Sequence, residues 1–546
     1  MPAAPPSILS SLDPDQRAAA SHIDGPLLVV AGPGSGKTRM LTHRIAHLVA
    51  ERGVAPENCL AIAFTRRAAE EMRERLAELL PAGASNAAVH TFHSLGLSIL
   101  RENSEAAGLS PGFTITAEPE RIAALAAALD VSERRAGTLL RRISKAKRSG
   151  AETIDEALAT ALAAYSVLMT ARDWVDFDDL VLLAADALAR DAALLSRLRE
   201  KFRFVSVDEF QDVDEQQCRL LRLIAPGEAN LAVIGDPDQA IYGFRGADAS
   251  AFERFLRDYP QAATVTLKRN YRSSGTIVSA ASQVIASARR GPPLAEIVRE
   301  MHDRIAIHVA ATEAAEAEFV VAEIERLIGG HSFFSIDSGR GRSSAERALS
   351  FADIAVLYRT EAQSAVLADA LARSGMPFRR NAHARLDSAI AEGAVADGAE
   401  GGEGERAVAL EALALAQNVD VFDRRADRIA LLTMHAAKGL EFSVVFIVGV
   451  EDGLVPLHFG HVHTMTERRA EHVRNLEEER RLFYVAMTRA KDLLVISRAE
   501  RRFWRGREAK LAASPFLADI EAELLRQRRA EPSRRRRDAD RQLALF

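Results

Sequence analysis

Short apolar runs alternate with longer stretches of helical spacing through most of the chain. Continuous apolar runs occupy residues 27–31, 60–64, 204–208, 231–235 and 264–267, and a second set occupies 305–309, 354–358, 429–433, 444–448 and 493–497. Uninterrupted apolar strands separated by amphipathic helices predict parallel sheets covered on both faces. The two sets, on either side of about residue 270, predict an α/β chain with two sheet domains. Between Ser94 and Trp174 the strand pattern gives way to Ala- and Arg-rich helical spacing, which predicts a helical insertion in the first domain. A second break runs over 381–428, with a Gly/Ala/Glu-rich linker at 393–405 and one helical stretch at 406–417. The Gly/Ser-rich segment 329–347 reads as a long loop.

Composition narrows the chemistry. The chain has 546 residues, 48% of them hydrophobic and 27% charged, which is ordinary for packed globular domains. No run of 18 apolar residues predicts a membrane span, and residues 1–15 lack an export-signal pattern. Two cysteines, Cys59 and Cys218, exclude a disulfide framework, a four-cysteine cluster and a cysteine-rich zinc module. They fit a reduced, cytoplasmic compartment. A net charge of −5 excludes a globally basic nucleic-acid binder but not a local basic groove. The cations are mostly Arg: only eight of the 71 are Lys, and two of those fall in the motifs below.

The strongest local signal is the run Leu-Leu-Val-Val-Ala-Gly-Pro-Gly-Ser-Gly-Lys-Thr at 27–38. A buried strand enters a loop of Gly32, Pro33, Gly34, Ser35 and Gly36, and a helix opens at Lys37, with Thr38 and Arg39 in its first turn. Glycines let successive N–H groups point at phosphate oxygens, and the helix N-terminus adds partial positive charge. Lys37 can reach the β and γ phosphates of ATP, and the Thr38 hydroxyl can ligate Mg²⁺. Ala31 takes the place of the usual first glycine. A nucleotide hydrolase also needs an acidic site. Asp208 and Glu209 supply it at the C-terminal end of an apolar strand, where α/β sheets place ligands. Asp208 suits the Mg²⁺ shell, and Glu209 suits activation of the attacking water.

Here the sequence resembles a known family. Asp208-Glu209-Phe210-Gln211-Asp212 is similar to the Walker B block of superfamily 1A DNA helicases of the UvrD/Rep/PcrA type, and the rest of their motif series follows in order. Leu12 to Gln16 resembles the Q motif, Ala63 to Ala69 motif Ia, Thr91-Phe92-His93-Ser94 motif Ib, and Phe177-Asp178-Asp179-Leu180 the block before Walker B. Gly235 to Ala247 resembles motif III, Asn270-Tyr271-Arg272-Ser273 motif IV, and Tyr358 to Ser364 the next block. Thr433-Met434-His435 with Lys438 to Phe442 resembles motif V, and Tyr484 to Ala490 motif VI.

The resemblance implies two RecA-like, parallel-sheet P-loop motor domains with a helical insertion in the first. It places the first motor domain at 1–95 and 174–267 around an insertion at 96–173. The second falls at 268–380 and 429–522, and an Arg-rich tail at 523–546. It implies that Gln16 reads adenine, Tyr271 stacks on it and Glu441 lies near the ribose. Gln239 then senses the γ phosphate, and Arg272 and Arg489 are arginines contributed from the second motor domain. Single-stranded DNA contacts fall to Phe64, Thr65, Arg66, Thr91, His93, Tyr242, Phe244, Arg245 and His435, with Phe244 where Trp is usual and Arg66 where Asn is usual. The second helical insertion of the family is reduced here to the short segment 381–428.

The resulting expectation is an ATP-dependent 3′–5′ helicase or translocase on single-stranded DNA, in repair or replication. Two alternatives stand beside it: a translocase that strips proteins with little unwinding, and an ATP-gated DNA-binding module recruited by the sliding clamp. The clamp enters through Gln542, Leu543, Leu545 and Phe546, a short apolar end on an Arg-rich stretch that resembles bacterial clamp-binding peptides.

Overall fold

The computed structural model of the chain describes residues 7–81, 86–149, 154–243, 250–289, 291, 295–301, 303–329, 349–380, 426–458, 465–504 and 506–529. Segment 393–417 and most of 329–347 lie outside them.

Two parallel sheets organise the molecule. The first has six strands in the order Ala88–Thr91, Cys59–Ala63, Phe204–Val207, Asn230–Gly235, Leu27–Ala31, Ala263–Leu267. The strand that enters the phosphate loop is therefore interior, flanked in register by Asn230–Gly235 and Ala263–Leu267. Its side chains divide between two cores, Leu28 packing with Leu60, Val205 and Val233 and Leu27 and Val29 with Met40, Leu41 and Ile234. Burial on both faces is why the strand lacks polar alternation.

The second sheet runs Phe378–Arg380, Ile429–Thr433, Ile354–Tyr358, Phe442–Ile447, Ala490–Trp504, Ile305–Thr312, Leu525–Arg529, with Arg507–Lys510 antiparallel to the end of Ala490–Trp504. The edge strand Leu525–Arg529 pairs in parallel with Ile305–Val309. The start of the segment expected to be an Arg-rich tail is thus part of the sheet.

Helices Glu118–Leu129, Glu133–Ser149 and Glu156–Ala171 pack into a separate small core around Leu125, Ile143, Leu158 and Tyr165. This is the helical stretch expected between Ser94 and Trp174, with one addition. Thr114–Ile115 and Trp174–Val175 pair as a two-stranded sheet at its base.

The sheets meet through the chain that follows Gly235. Ile241 and Tyr242 pack into the core of the second sheet beside Leu482, Phe483 and Met434. The apolar burial that seats this loop ties the two lobes together.

A nucleotide cleft at the seam of two lobes

Gly34 and Gly36 both take left-handed backbone angles, φ +64° and +78°. Gly36 caps helix Lys37–Ala50 without any side-chain acceptor, so the helix offers its first N–H groups to the cleft. The Ser35 hydroxyl donates to the Gly32 carbonyl at 2.8 Å, and the buried Gln16 amide donates to the Ser35 carbonyl at 2.8 Å. Gln16 therefore braces the loop from behind. A Cβ on Gly36 would come within 2.7 Å of its Nε2.

The segment Asn270–Arg272 lies across the same loop. Asn270 Nδ2 donates to the Pro33 carbonyl at 2.7 Å and the Tyr271 N–H to the Gly34 carbonyl at 2.9 Å. The Tyr271 hydroxyl donates to Asp13 at 2.7 Å, and the ring is 42% exposed. These contacts leave Tyr271 as an exposed ring at the mouth of the cleft.

Asp208 closes the far wall. Thr38 Oγ1 donates to Asp208 Oδ2 at 3.5 Å. Burial, with Glu209 beside it, pushes the Asp208 carboxyl above the ordinary range. A buried carboxylate short of positive charge, next to a hydroxyl, fits a hard cation held jointly by protein, phosphate and water. Among the described residues no cluster of three or more His, Cys, Asp or Glu could cage a metal by itself. Glu209 sits at φ +51°, a left-handed angle costly for a residue with a side chain. Burial opposes its charge, but Lys37, 4.0 Å away, with Lys438 and Arg489, holds it well below the usual carboxylate range. Gln211 fixes it in place, donating to Glu209 through Nε2 while its Oε1 accepts from the Asp236 N–H at 2.9 Å.

The second lobe supplies the opposite wall. Arg489 is fully buried and donates to Gln239 Oε1 at 3.2 Å and to the carbonyls of Val485 and Leu440 at 2.9 and 3.2 Å. Burial and the nearby Arg272 lower its pKa to about 9. Gln239 in turn donates to Asp236 at 2.6 Å. Arg272 Nε donates to Glu441 at 2.8 Å. Lys438 is the tightest bridge between lobes: its ammonium donates at 2.5 Å to Asp212 and at 2.5 Å to the Gln239 carbonyl. Lys438 escaped the sequence reading as a site residue. The available signal was its rarity, one of eight lysines in an Arg-rich chain, inside a motif block.

The cleft measures about 690 Å³. Gly34 to Arg39, Asp208, Glu209, Gln239, Tyr271, Arg272, Glu441 and Arg489 all line it, as do Phe64, Thr65 and Tyr242. The rings of Phe64 and Tyr242 stack on each other, 5.3 Å apart and 18° from parallel, with the Lys438 ammonium 5.0 Å from the Tyr242 ring. Arg66, Thr91, His93 and His435 are not among the residues that line the cleft. The Thr65 and Thr91 hydroxyls accept from the N–H groups of Ala68 and Ser94 as helix N-caps, and Arg66 opens the first of those helices. The His93 ring lies 5.3 Å from Phe177. The His435 carbonyl accepts from the Lys438 N–H. Gly32 and Pro33 do not line the cleft, and the Gly32 N–H donates to the Leu267 carbonyl at 3.2 Å. Phe244, Arg245, Gln542, Leu543, Leu545 and Phe546 lie outside the described residues.

A glycine-rich phosphate loop whose facing wall comes from a second parallel sheet defines a two-lobed P-loop nucleotide hydrolase. Residues 12–260 match the UvrD/REP helicase N-terminal domain, and 265–385 with 400–501 match the UvrD-like helicase C-terminal domain. The chain belongs to the UvrD/REP helicase family and is an ATP-driven helicase enzyme. It is 30% identical to the ATP-dependent DNA helicase PcrA of Leuconostoc citreum over 668 residues, covering 95% of this chain and 86% of the relative. The PcrA of Bacillus subtilis strain 168 is 30% identical, with 95% and 87% covered. That of Staphylococcus aureus strain Mu50 is 29% identical with the same coverage. The first of these alignments is longer than the 546-residue chain, so the relative carries stretches this chain lacks. Among the described residues no helix is long and apolar enough to cross a membrane.

Proposed function

We propose that the chain hydrolyses ATP to move 3′ to 5′ along single-stranded DNA and to unwind duplex ahead of it, in the cytoplasmic setting of repair or replication. The observation that carries this reading is Arg489, buried in the second lobe yet bonded to Gln239 of the first, on the wall facing Lys37 and Glu209. Charge on the γ phosphate is then contacted from both lobes, so binding favours closure and hydrolysis favours opening.

Each residue has a part. Lys37 and the loop amides bind the phosphates, with Gln16 and Tyr271 at the adenine end and Glu441 at the ribose. Thr38 and Asp208 would hold Mg²⁺, which neutralises phosphate charge when bound. Glu209, kept ionised by its cationic neighbours, orients and deprotonates the attacking water. Arg272 and Arg489 stabilise charge as it develops on the transferring group, and Gln239 couples the phosphate end to Tyr242. Phe64, Tyr242 and Phe244 stack on bases, each worth ~1–3 kcal/mol. Thr65, Arg66, Thr91, His93, Arg245 and His435 meet the strand backbone.

ATP turnover with and without single-stranded DNA tests the core of this reading. DNA stimulates the wild type, and Lys37→Ala and Arg489→Ala abolish the stimulation, Lys37→Ala weakening nucleotide binding more. Unstimulated turnover in the wild type would refute the motor. Duplexes with a 3′ or a 5′ tail give the polarity.

The stretches within the alignment that the relative carries and this chain lacks support a second reading, a translocase that displaces proteins with little unwinding. Parallel strand-displacement and protein-displacement assays separate the two. Recruitment by the sliding clamp through Gln542–Phe546 is tested by deleting those five residues and measuring clamp binding.

A further inference from the structure

Glu441 serves two cations at once. Its Oε2 accepts from Arg272 Nε at 2.8 Å, and its Oε1 lies 2.7 Å from the Lys491 ammonium. All three side chains line the nucleotide cleft. Lys491 stands two residues after Arg489, at the start of strand Ala490–Trp504, and its main chain is pinned. The Lys491 carbonyl accepts from the Ser274 N–H at 2.8 Å and from Arg299 Nη1 at 3.2 Å. Arg299 also donates to the Arg272 carbonyl and, through Nη2, to Asp492 at 2.7 Å. The lysine is thus anchored to the backbone that carries both arginines facing the cleft.

The charges give this arrangement a consequence. Together Arg272, Lys491 and Glu441 carry one net positive charge. When Arg272 turns from the carboxylate to phosphate oxygens, Glu441 loses that cation and confronts a polyanion, and a cation that stays on its other oxygen offsets the repulsion. Opposite charges a few ångströms apart in a partly enclosed cleft interact far more strongly than in bulk water. Lys491 is the cation in place for this.

We propose that Lys491 is a positioning residue for nucleotide binding: it holds Glu441 neutralised and oriented while Arg272 exchanges that carboxylate for the phosphates. The proposal rests on Arg272 being a phosphate-binding arginine. Lys491 makes the same contribution before and during hydrolysis, so its loss raises KM and leaves kcat nearly unchanged.

The test is steady-state ATP hydrolysis at saturating single-stranded DNA for the wild type, K491M, K491R, E441Q, K491M/E441Q and R272A. K491M is expected to raise the KM for ATP about 3–10-fold with kcat within about twofold. K491R stays within about twofold of wild type, because the cation is restored. K491M/E441Q shows the KM of E441Q alone, since a neutral side chain needs no counter-ion. A K491M enzyme with wild-type KM, or a K491M effect that multiplies in full on the E441Q background, overturns the role of Lys491. An R272A enzyme that keeps its kcat overturns instead the reading of Arg272, and the partner exchange falls with it.

Discussion

Among the described residues Asp212 and Lys438 form the most buried ion pair between the lobes, and both are almost wholly shielded from solvent. Burial lifts the Asp212 pKa to about 7, with Glu209 adding to it and Lys438 opposing. Ionising this carboxyl therefore costs more in the folded chain than in the unfolded one. Its stabilising contribution is complete below the unfolded value and is lost as pH rises through 7. Between pH 6 and 8, wild type should lose about 1 kcal/mol relative to Asp212→Asn, read as the difference between their thermal midpoints at each pH. At this scale the sequence was legible where chemistry is local. Lys37, Thr38, Asp208 and Glu209 are each signalled by their immediate neighbours. Lys438 and Asp212 are 226 positions apart, and nothing in either segment announces the other. Thr65 and Thr91, hydroxyls expected at DNA, also serve as helix caps, as such residues commonly do.

Two elements carry sharper structural demands than their composition suggests. Helix Phe92–Glu102 lies against helix Phe177–Arg190, and a Cβ on Gly96 would sit 2.2 Å from the Leu180 carbonyl oxygen. Gly96→Ala must force these helices apart and should destabilise the first lobe by about 1–3 kcal/mol, measured by chemical denaturation. The second element is the edge strand Leu525–Arg529. It was not readable as a strand because an edge tolerates Arg and Gln, so the apolar pattern that marks interior strands is missing. Ala88–Thr91 was missed because it is short and carries a polar His90. Truncation after Leu524 strips the partner from Ile305–Val309 and should produce aggregation, whereas truncation after Arg529 should not. Size-exclusion chromatography of the two truncated chains distinguishes them. The block Phe177–Leu180 likewise has a structural task beside any motor role. Asp176 and Asp179 hold Lys147 at 2.8 and 2.6 Å, and Asp178 accepts from Arg148 and Ser144. These contacts fasten helix Glu133–Ser149 to the first lobe.

For the whole molecule, the decisive feature is that the lobes already touch through the residues that would clasp a nucleotide. Lys438 binds Asp212 and the Gln239 carbonyl, Arg489 binds Gln239, and Arg289 binds Asp238 at 2.7 Å. Removing one partner of a buried pair strands the other. Lys438→Met should therefore weaken the contact between the lobes by about 1–3 kcal/mol, the cost of leaving buried acceptors unpaired, roughly ten- to a hundredfold in the closing equilibrium. Small-angle scattering should record a larger radius of gyration for the variant without ATP, and an unchanged one would contradict this account. The two-lobed plan itself was visible in the spacing of apolar runs. The closeness of the lobes was not, because it depends on Ile241 and Tyr242 leaving their own sheet to pack in the other's core.

The strand order also sets a timetable for synthesis. Every strand of the first sheet lies within residues 27–267, so that lobe can complete itself while the rest of the chain is still being made. The second sheet cannot. Its strand Ile305–Thr312 must wait for Ala490–Trp504 on one side and Leu525–Arg529 on the other, more than 170 residues later. A nascent chain thus elongates by more than 170 residues with a finished phosphate loop and an uncovered apolar strand, the interval in which a ribosome-bound chaperone has the most to protect.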